Sequence, residues 1–163
     1  LSEQRVHVVN MSLAGPPNAV LERALEKIHA QGALIVAAVG NDGPFAKPRY
    51  PSAYSNVIGV GAVDRHGRAY RKSGRGAHVE FTAPGVGVIA ASGSSATRLY
   101  TGTPFAAPLV SGLLLRRLNQ VGDADAALEA LRGDIVDLGR PGTDPIFGRG
   151  VAGRSLLLRP LEP

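Results

Sequence analysis

Residues 101–108 read Thr101-Gly102-Thr103-Pro104-Phe105-Ala106-Ala107-Pro108, and an apolar run follows as far as Leu115. Gly102 can adopt backbone angles closed to other residues, so the chain can turn sharply there. Thr103 is a good N-cap, and Pro104 suits the first helical position. Residues 105–115 are apolar on every side, which is typical of a buried helix. The stretch therefore predicts a tight turn and a buried central helix that starts near Pro104, with backbone donors at its mouth.

Length and composition predict one globular domain. The chain has 163 residues, of which 44% are hydrophobic, and it is rich in Gly and Pro. This is enough for a core and is unlike a disordered chain. No apolar run is long enough to span a membrane, and no signal-peptide pattern opens the sequence. The absence of cysteine excludes disulfides, thiol catalysis and cysteine-based metal sites.

The chain is basic, with a formal net charge of +5. Basic residues can mark a protein that binds nucleic acid or an anionic surface. Here they are scattered, and pairs such as Arg71-Lys72 and Arg116-Arg117 are not interleaved with stacking aromatic residues. We therefore expect no nucleic-acid partner.

Strand-like and helix-like segments alternate along the chain. Residues 6–11, 33–39 and 57–63 are short β-branched apolar runs, as expected of buried parallel strands. Between the first two, Asn18 can cap a helix that Gly32 ends. The pattern predicts an α/β fold with a parallel sheet flanked by helices.

The remaining segments predict smaller elements. Residues 78–82 and 86–91 are shorter strand candidates, and Asp123 can cap a short amphipathic helix. We place the core at residues 6–150 and a peripheral Arg/Leu-rich tail at residues 151–163.

Several motifs resemble those of the subtilisin-like serine proteases, the subtilases (peptidase S8 family). Residues 102–108 are similar to the family's Gly-Thr-Ser-Met-Ala-Ala-Pro, whose Ser is the nucleophile, but Pro104 stands at that position. Further similar stretches occur in the family's order: Val9-Asn10-Met11-Ser12-Leu13-Ala14-Gly15, Val36-Ala37-Ala38-Val39-Gly40-Asn41-Asp42-Gly43, Tyr50-Pro51-Ser52, Val57-Ile58-Gly59-Val60-Gly61-Ala62-Val63-Asp64 and Ala83-Pro84-Gly85. The resemblance covers roughly residues 6–150 and implies the C-terminal part of a subtilase domain.

The resemblance assigns one catalytic role besides the nucleophile position. Asn41 would donate its side-chain amide to the oxyanion of a tetrahedral intermediate, and a preset donor of this kind acts strongly in a dry site. From the residues alone, Gly40-Asn41-Asp42-Gly43 favours a plain turn, and the resemblance favours the oxyanion position.

The resemblance also implies a peptide-binding cleft. The ledge, composed of Ser12, Leu13 and Ala14, would pair with an extended peptide, and Ala14 stands where the family usually has Gly. An opposite wall would come from three further residues, which are Ala38, Val39 and Gly40. An ordinary strand end gives the same sequence pattern.

The other two members of the family's catalytic triad are absent from recognisable settings. The histidines are His7, His29, His66 and His78, and none lies in the family's His-Gly-Thr/Ser-His context. The Asp-Thr/Ser-Gly motif is also absent, and both motifs belong to the N-terminal half of a subtilase domain. Pro104 has no nucleophilic atom. Thr101 and Thr103 would be displaced from its position, and nucleophilic attack demands tight positioning.

Three interpretations stay open. The first is a catalytically silent subtilase module that still binds peptide, and the second is a fragment of an active serine endopeptidase whose Ser was replaced by mutation or error. The third is a structural or assembly module. We expect the strand at residues 6–11 to have an unpaired edge. A missing N-terminal half or self-association would cover this edge, unless residues 1–5 and the tail shield it.

The resemblance implies no cofactor. A weakly bound cation held by backbone carbonyls between Tyr50 and Val57 is the one candidate, and such ligands leave almost no trace in a sequence. An extracellular or periplasmic location is likewise expected only by resemblance.

Overall fold

The computed structural model describes residues 6–93 and 96–153, and these form a parallel sheet packed between helices. The sheet has the order β1-β2-β3-β4. Its strands are β1 (Val8–Met11), β2 (Leu34–Ala38), β3 (Ile58–Val63) and β4 (Val79–Pro84). The register pairs Val8 with Leu34 and Val36 with Ile58. The predicted α/β class and its parallel sheet are confirmed.

Three helices cover the sheet, namely α1 (Ala19–Ala30), α2 (Thr103–Val121) and α3 (Ala124–Arg132). Successive residues of a strand point to opposite faces of the sheet. Accordingly, Val36 packs in the cluster that contains Val110 of α2, whereas Ile35 packs in the cluster that contains Leu25 of α1. Helix α2 contacts all four strands and is the central helix of the fold.

Two predicted helix caps are confirmed. Asn18 has extended backbone angles, and its side-chain oxygen accepts from the backbone N–H groups of Val20 and Leu21 at 3.0 Å each. Asp123 accepts from the N–H of Ala126 at 2.9 Å in the same way. Each cap satisfies a donor that the first helical turn leaves without a partner.

Helix α2 differs from the prediction in two respects. Its N-cap is Gly102, and Thr103 is already the first helical residue. It is also buried along one face only, since Val110 and Leu114 are 0% exposed whereas Leu115 is 43% exposed. The apolar residues on the outer face, which suggested a helix buried all round, have no cover within the described part of the chain.

Strand β1 lies at an edge of the sheet, and the prediction that it is a buried strand is wrong. Asn10 is exposed, and the flanking Val9 and Met11 are only partly buried. Strand β2 is its ladder partner in the described structure. The expected unpaired edge is therefore present among the described residues.

A two-stranded antiparallel hairpin, β5 (Val88–Ser92) and β6 (Ala96–Tyr100), stands beside the main sheet. Strand β5 matches the candidate at residues 86–91, whereas β6 was not predicted. The residues of β6 from Ala96 to Leu99 are all exposed, so the strand shows no alternation of buried and exposed side chains. The Tyr100 ring stacks on that of Phe105, with ring centroids 5.0 Å apart. The hairpin is thereby attached to the start of α2.

The buried part of the chain extends past the predicted boundary at Gly150. Val151 and Ala152 are both 0% exposed, and the N–H of Ala152 donates to the carbonyl of Thr82 at 2.8 Å. Placing these two residues in a peripheral tail was wrong, and the rest of that tail beyond Gly153 lies outside the described residues, as do residues 1–5. None of the helices described here has the length and apolar character needed to cross a membrane.

Candidate functional site

The residues singled out from the sequence gather at the carboxyl ends of the parallel strands. Ser12 follows β1, Asn41 lies three residues after β2, and Gly85 follows β4. All three lie near the amino end of α2, where the hydrogen bonds described below join them to its first turn. In open α/β sheets, this edge is the usual place for a ligand.

Gly102 is required at the turn that precedes α2. Its φ is +153°, a region that favours glycine, and its N–H donates to the carbonyl of Gly85 at 2.8 Å. A Cβ atom at this position would lie 2.9 Å from the side-chain nitrogen of Asn41. The turn is therefore closed tightly against Asn41.

The side-chain amide of Asn41 is held in one orientation by Thr103. Its oxygen accepts from the backbone N–H of Thr103 at 3.0 Å and from the Thr103 hydroxyl at 3.2 Å. A backbone N–H can only donate, so the atom that faces it must be the amide oxygen. The NH₂ group of Asn41 consequently points the other way, past Gly102, and no described residue accepts a hydrogen bond from it. This is the arrangement that a preset donor to a developing anion requires.

The Thr103 side chain is buried and does not cap helix α2. It is 0% exposed. Its hydroxyl donates to Asn41 and accepts from the N–H of Gly40 at 3.2 Å. Because both functions of the hydroxyl are used, Thr103 is unsuited to replace a missing nucleophile.

The amino end of α2 offers fewer free backbone N–H groups than expected. The N–H of Thr103 is taken by Asn41, and that of Phe105 donates to the carbonyl of Gly102 at 3.1 Å. Pro104 lies between them and has no N–H at all. Compared with the serine of the family motif, Pro104 therefore lacks both a backbone donor and a side-chain hydroxyl at this position.

The ledge lies beyond the last paired residue of β1, which is Met11. All three of its residues are exposed, with Leu13 at 52%. The Ser12 side chain is nevertheless engaged, because its hydroxyl donates to the carbonyl of Pro104 at 2.8 Å. The backbone of the ledge is thus presented at the surface beside Pro104.

The residues expected to form the opposite wall are buried. Ala38 and Val39 are 0% and 1% exposed. The N–H of Val39 donates to the carbonyl of Val60, and the carbonyl of Gly40 accepts from the N–H of Gly74. The N–H of Val39 and the carbonyl of Gly40 are therefore already paired within the chain.

Arg49 is a site residue that the sequence analysis missed. A Cβ atom built on Gly40 would lie 3.2 Å from the Arg49 side-chain stem and 3.4 Å from Cβ of Ala14. The guanidinium forms an ion pair of 2.5 Å with Asp42. Arg49 therefore fills the space beside Ala14 and Gly40. Nothing in the sequence around Arg49 indicates that its side chain lies beside Ala14 and Gly40.

The four histidines lie in different parts of the chain. His29 contacts the carbonyl of Ala33, and the ring of His66 accepts from the side chain of Arg65. His78 precedes β4 and so lies at the amino ends of the strands, away from the carboxyl ends where the site residues gather. Burial lowers the pKa of His78. His7 is exposed before β1. None of the four rings hydrogen-bonds to a residue of the site within the described part of the chain.

The cleft beside residues 50–57 has one carboxylate in its lining, and that carboxylate is already paired. This cleft of about 470 Å³ includes Tyr54 and Glu80 in its lining. The carboxylate of Glu80 already pairs with Arg132 at 2.6 Å and with Arg149 at 2.8 Å. Two guanidinium groups at that carboxylate repel a cation. Across residues 6–93 and 96–153, no cluster of three or more His, Cys, Asp or Glu side chains could hold a metal ion.

The sequence is similar to those of known proteins. The profile of the Subtilase family matches residues 1–150. The chain is 36% identical over 155 residues to minor extracellular protease Epr of Bacillus subtilis (strain 168), which is 90% of this chain and 23% of that protein. It is 38% identical over 115 residues to subtilisin DY of Bacillus licheniformis, covering 68% of this chain and 42% of that protein.

A solved structure shows the same fold. The crystal structure of a lanthipeptide protease superposes with a TM-score of 0.81 at 24% identity, over 93% of this chain and 60% of that chain. The chain spans less than half the length of either curated relative. Since the family profile covers 150 of 163 residues, this chain belongs to the Subtilase family.

Proposed function

We propose that this chain is a catalytically silent subtilase module that binds an extended peptide. The observation that carries the proposal is the composition of the site around Pro104. The side-chain NH₂ of Asn41 is set in place by Thr103, whereas Pro104 supplies neither a hydroxyl nor a backbone N–H. The site retains one donor for an anion and lacks the group that would create the anion.

The exposed ledge supports the peptide-binding part of the proposal. Its backbone follows directly from β1, which is an edge strand of the sheet. An extended peptide can add to such an edge through main-chain hydrogen bonds, with side-chain pockets giving specificity. The Ser12 hydroxyl is occupied by Pro104, so the peptide would be held by the backbone of Leu13 and Ala14.

The side chains near the ledge favour a small residue in the bound peptide. Arg49 and Ala14 both crowd the space above Gly40. The Arg49 guanidinium is balanced by Asp42, so the pocket carries a neutral ion pair and not a free charge. Replacing Arg49 with Ala should widen the pocket and shift the preference toward larger side chains.

Titration with short extended peptides, followed by amide NMR spectra, tests the proposal. The expected result is saturable shifts at Leu13 and Ala14. Ala14→Pro removes one backbone donor from the ledge and should weaken binding. Ala19→Pro is the matched control, because it places Pro at the first position of α1, where a free N–H is not needed. Equal binding by both variants, or no shifts at the ledge, would refute peptide binding there.

The open edge of β1 supports a second candidate function, that of an assembly module. The outer face of α2 exposes Leu115 at 43%, and Val121 at its end is 45% exposed. We propose that another polypeptide, either the rest of a subtilase domain or a second copy of this chain, covers this region. One relative is named an extracellular protease, and we propose an extracellular or periplasmic location on that likeness.

A further inference from the structure

The carbonyl group of Pro104 lacks its ordinary partner in helix α2. In an α-helix, the carbonyl of residue i accepts from the N–H of residue i+4. For Pro104, that residue is Pro108, which lies inside the helix and has no N–H. Unless another group donates to this carbonyl, the first turn of α2 is held less firmly than the turns that follow.

Ser12 supplies the missing hydrogen bond. Its hydroxyl oxygen lies 2.8 Å from the carbonyl oxygen of Pro104, although the two residues are 92 positions apart in the sequence. A carbonyl oxygen can only accept, so the hydroxyl must donate. Ser12 lies just after β1, and its hydroxyl reaches α2 at the turn where Pro108 interrupts the regular series of helical hydrogen bonds.

This assignment sets the direction of a longer chain of hydrogen bonds. Because the Ser12 proton goes to Pro104, the Ser12 oxygen is free to accept, and it does so from the amide nitrogen of Asn10 at 3.0 Å. The amide oxygen of Asn10 lies 3.1 Å from the hydroxyl of Ser111, whose single proton is shared between this oxygen and the carbonyl of Ala107 at the same distance. Hydrogen bonds that run in one direction reinforce one another. The end of β1 is thus attached to α2 at Pro104 and again at Ser111.

We propose that Ser12 is a positioning residue, whose hydroxyl replaces the N–H that Pro108 lacks and holds the ledge against the first turn of α2. The side chain of Ser12 then serves the helix, and its backbone alone is presented at the surface. The inference does not depend on peptide binding, because it concerns the contact between two parts of the same chain. The rival interpretation is that water would serve the Pro104 carbonyl equally well, since Ser12 is exposed.

A double-mutant cycle with Ser12→Ala and Pro108→Ala tests the proposal. In the unmodified chain, Ser12→Ala should lower the equilibrium constant for folding about fivefold, the usual effect of one hydrogen bond. Pro108→Ala restores an N–H at the position that serves Pro104. In that background, the effect of Ser12→Ala should fall below about twofold. An equal effect in both backgrounds would overturn the proposal.

Two further variants separate the hydroxyl from a general effect of substitution. Ser12→Thr keeps the hydroxyl and should retain most of the stability. Ser55→Ala changes an exposed serine whose side chain makes no hydrogen bond within the described residues, and it should have little effect. If Ser12→Thr is as destabilising as Ser12→Ala, the hydroxyl is not the cause.

A direct measurement covers the case in which Pro108→Ala does not fold. The carbonyl carbon of Pro104, labelled with ¹³C, reports its hydrogen bond through its chemical shift. Ser12→Ala should move this resonance upfield, and Ser55→Ala should leave it in place. An unchanged Pro104 resonance in Ser12→Ala would show that water or another group serves this carbonyl, and the proposal would be wrong.

Discussion

The side-chain oxygen of Asn41 accepts two hydrogen bonds from Thr103, one from its backbone N–H at 3.0 Å and one from its hydroxyl at 3.2 Å. This contact joins the loop after β2 to the first turn of α2 and leaves the NH₂ of Asn41 directed past Gly102. Pro104, the next residue, contributes no donor. At this site a fixed side-chain donor lies beside a residue that has neither a hydroxyl nor a backbone N–H.

Restoring the side-chain hydroxyl by Pro104→Ser should give little activity. The substitution supplies a hydroxyl and a backbone N–H, but no described histidine lies in hydrogen-bond contact with the site to act as a base, and an unassisted serine is a weak nucleophile. Loss of either Ser or His from a subtilisin triad costs on the order of 10⁶ in kcat, and a similar deficit is expected here. Burst-free kinetics with an activated ester, and slow labelling by a fluorophosphonate, are the expected observations.

Pro104→Ala is the matched control, since it restores the N–H without the hydroxyl. The two variants should hydrolyse the ester at indistinguishable rates. Rapid labelling of Pro104→Ser alone would reveal a general base outside the contacts described here.

Packing around Gly85 predicts a large cost for a single methyl group. A Cβ atom at Gly85 would lie 2.8 Å from Cβ of Ala62 and 2.9 Å from the carbonyl oxygen of Gly102. Neither neighbour is a flexible side chain, so Gly85→Ala should destabilise the fold by about 1–3 kcal/mol. Gly112 lies within α2, where an added Cβ meets nothing within 4 Å. Gly112→Ala should therefore stabilise the fold by about 0.5–1 kcal/mol. Urea unfolding of both variants checks the pair, and effects of the same sign would contradict it.

Asp144 should make stability depend on pH in the acid range. Burial raises the pKa of this carboxyl, but hydrogen bonds from the backbone N–H groups of Phe147, Ile146 and Arg140 outweigh burial and lower the pKa overall. A lowered pKa in the folded state gives stability that is present above the ordinary value of 3.8 and is lost as the pH falls through the folded value. Asp144→Ala should cost about 2 kcal/mol at neutral pH.

The measurement is the difference in unfolding free energy between Asp144→Ala and the unmodified chain from pH 7 to pH 2. This difference in unfolding free energy should become smaller as the pH approaches 2. Asp137→Ala is the control, because the exposed Asp137 accepts from a single backbone N–H, that of Gly142. A difference for Asp144→Ala that stays constant with pH would show that its charge contributes nothing.

The exposed edge of β1 predicts association. Unpaired strand edges invite pairing with another chain. Sedimentation and light scattering over a range of concentrations should show self-association, and amides of Val8–Met11 should become more protected from exchange as the concentration rises. A compact monomer at high concentration, with those amides already protected, would contradict this prediction.

Much of the fold could be predicted because local rules and burial agree. Asn18 and Asp123 are good caps next to periodic apolar residues, and both caps form. The buried strands β2 and β3 are continuous apolar runs and were placed to within a residue or two. Strand β6 could not be found, because its exposed residues have no pattern of burial to detect.

The errors at the site have a common physical cause. Thr103 has the chemistry of a cap, but the neighbouring Gly40 and Asn41 use its hydroxyl instead. The role of Arg49 and the bond from Ser12 to Pro104 also depend on contacts between residues distant in the sequence. Local propensity carries no information on such contacts, whereas the order of the motifs did identify the family.

The absence of catalysis is tested most directly by incubating a mixture of peptides with the purified chain and analysing the products by mass spectrometry. We predict that the peptides remain intact to the level of a protein-free blank, because Pro104 offers no nucleophile. Cleavage that follows the chain through successive chromatography steps, and that serine-directed inhibitors abolish, would contradict the proposal that this subtilase module is silent.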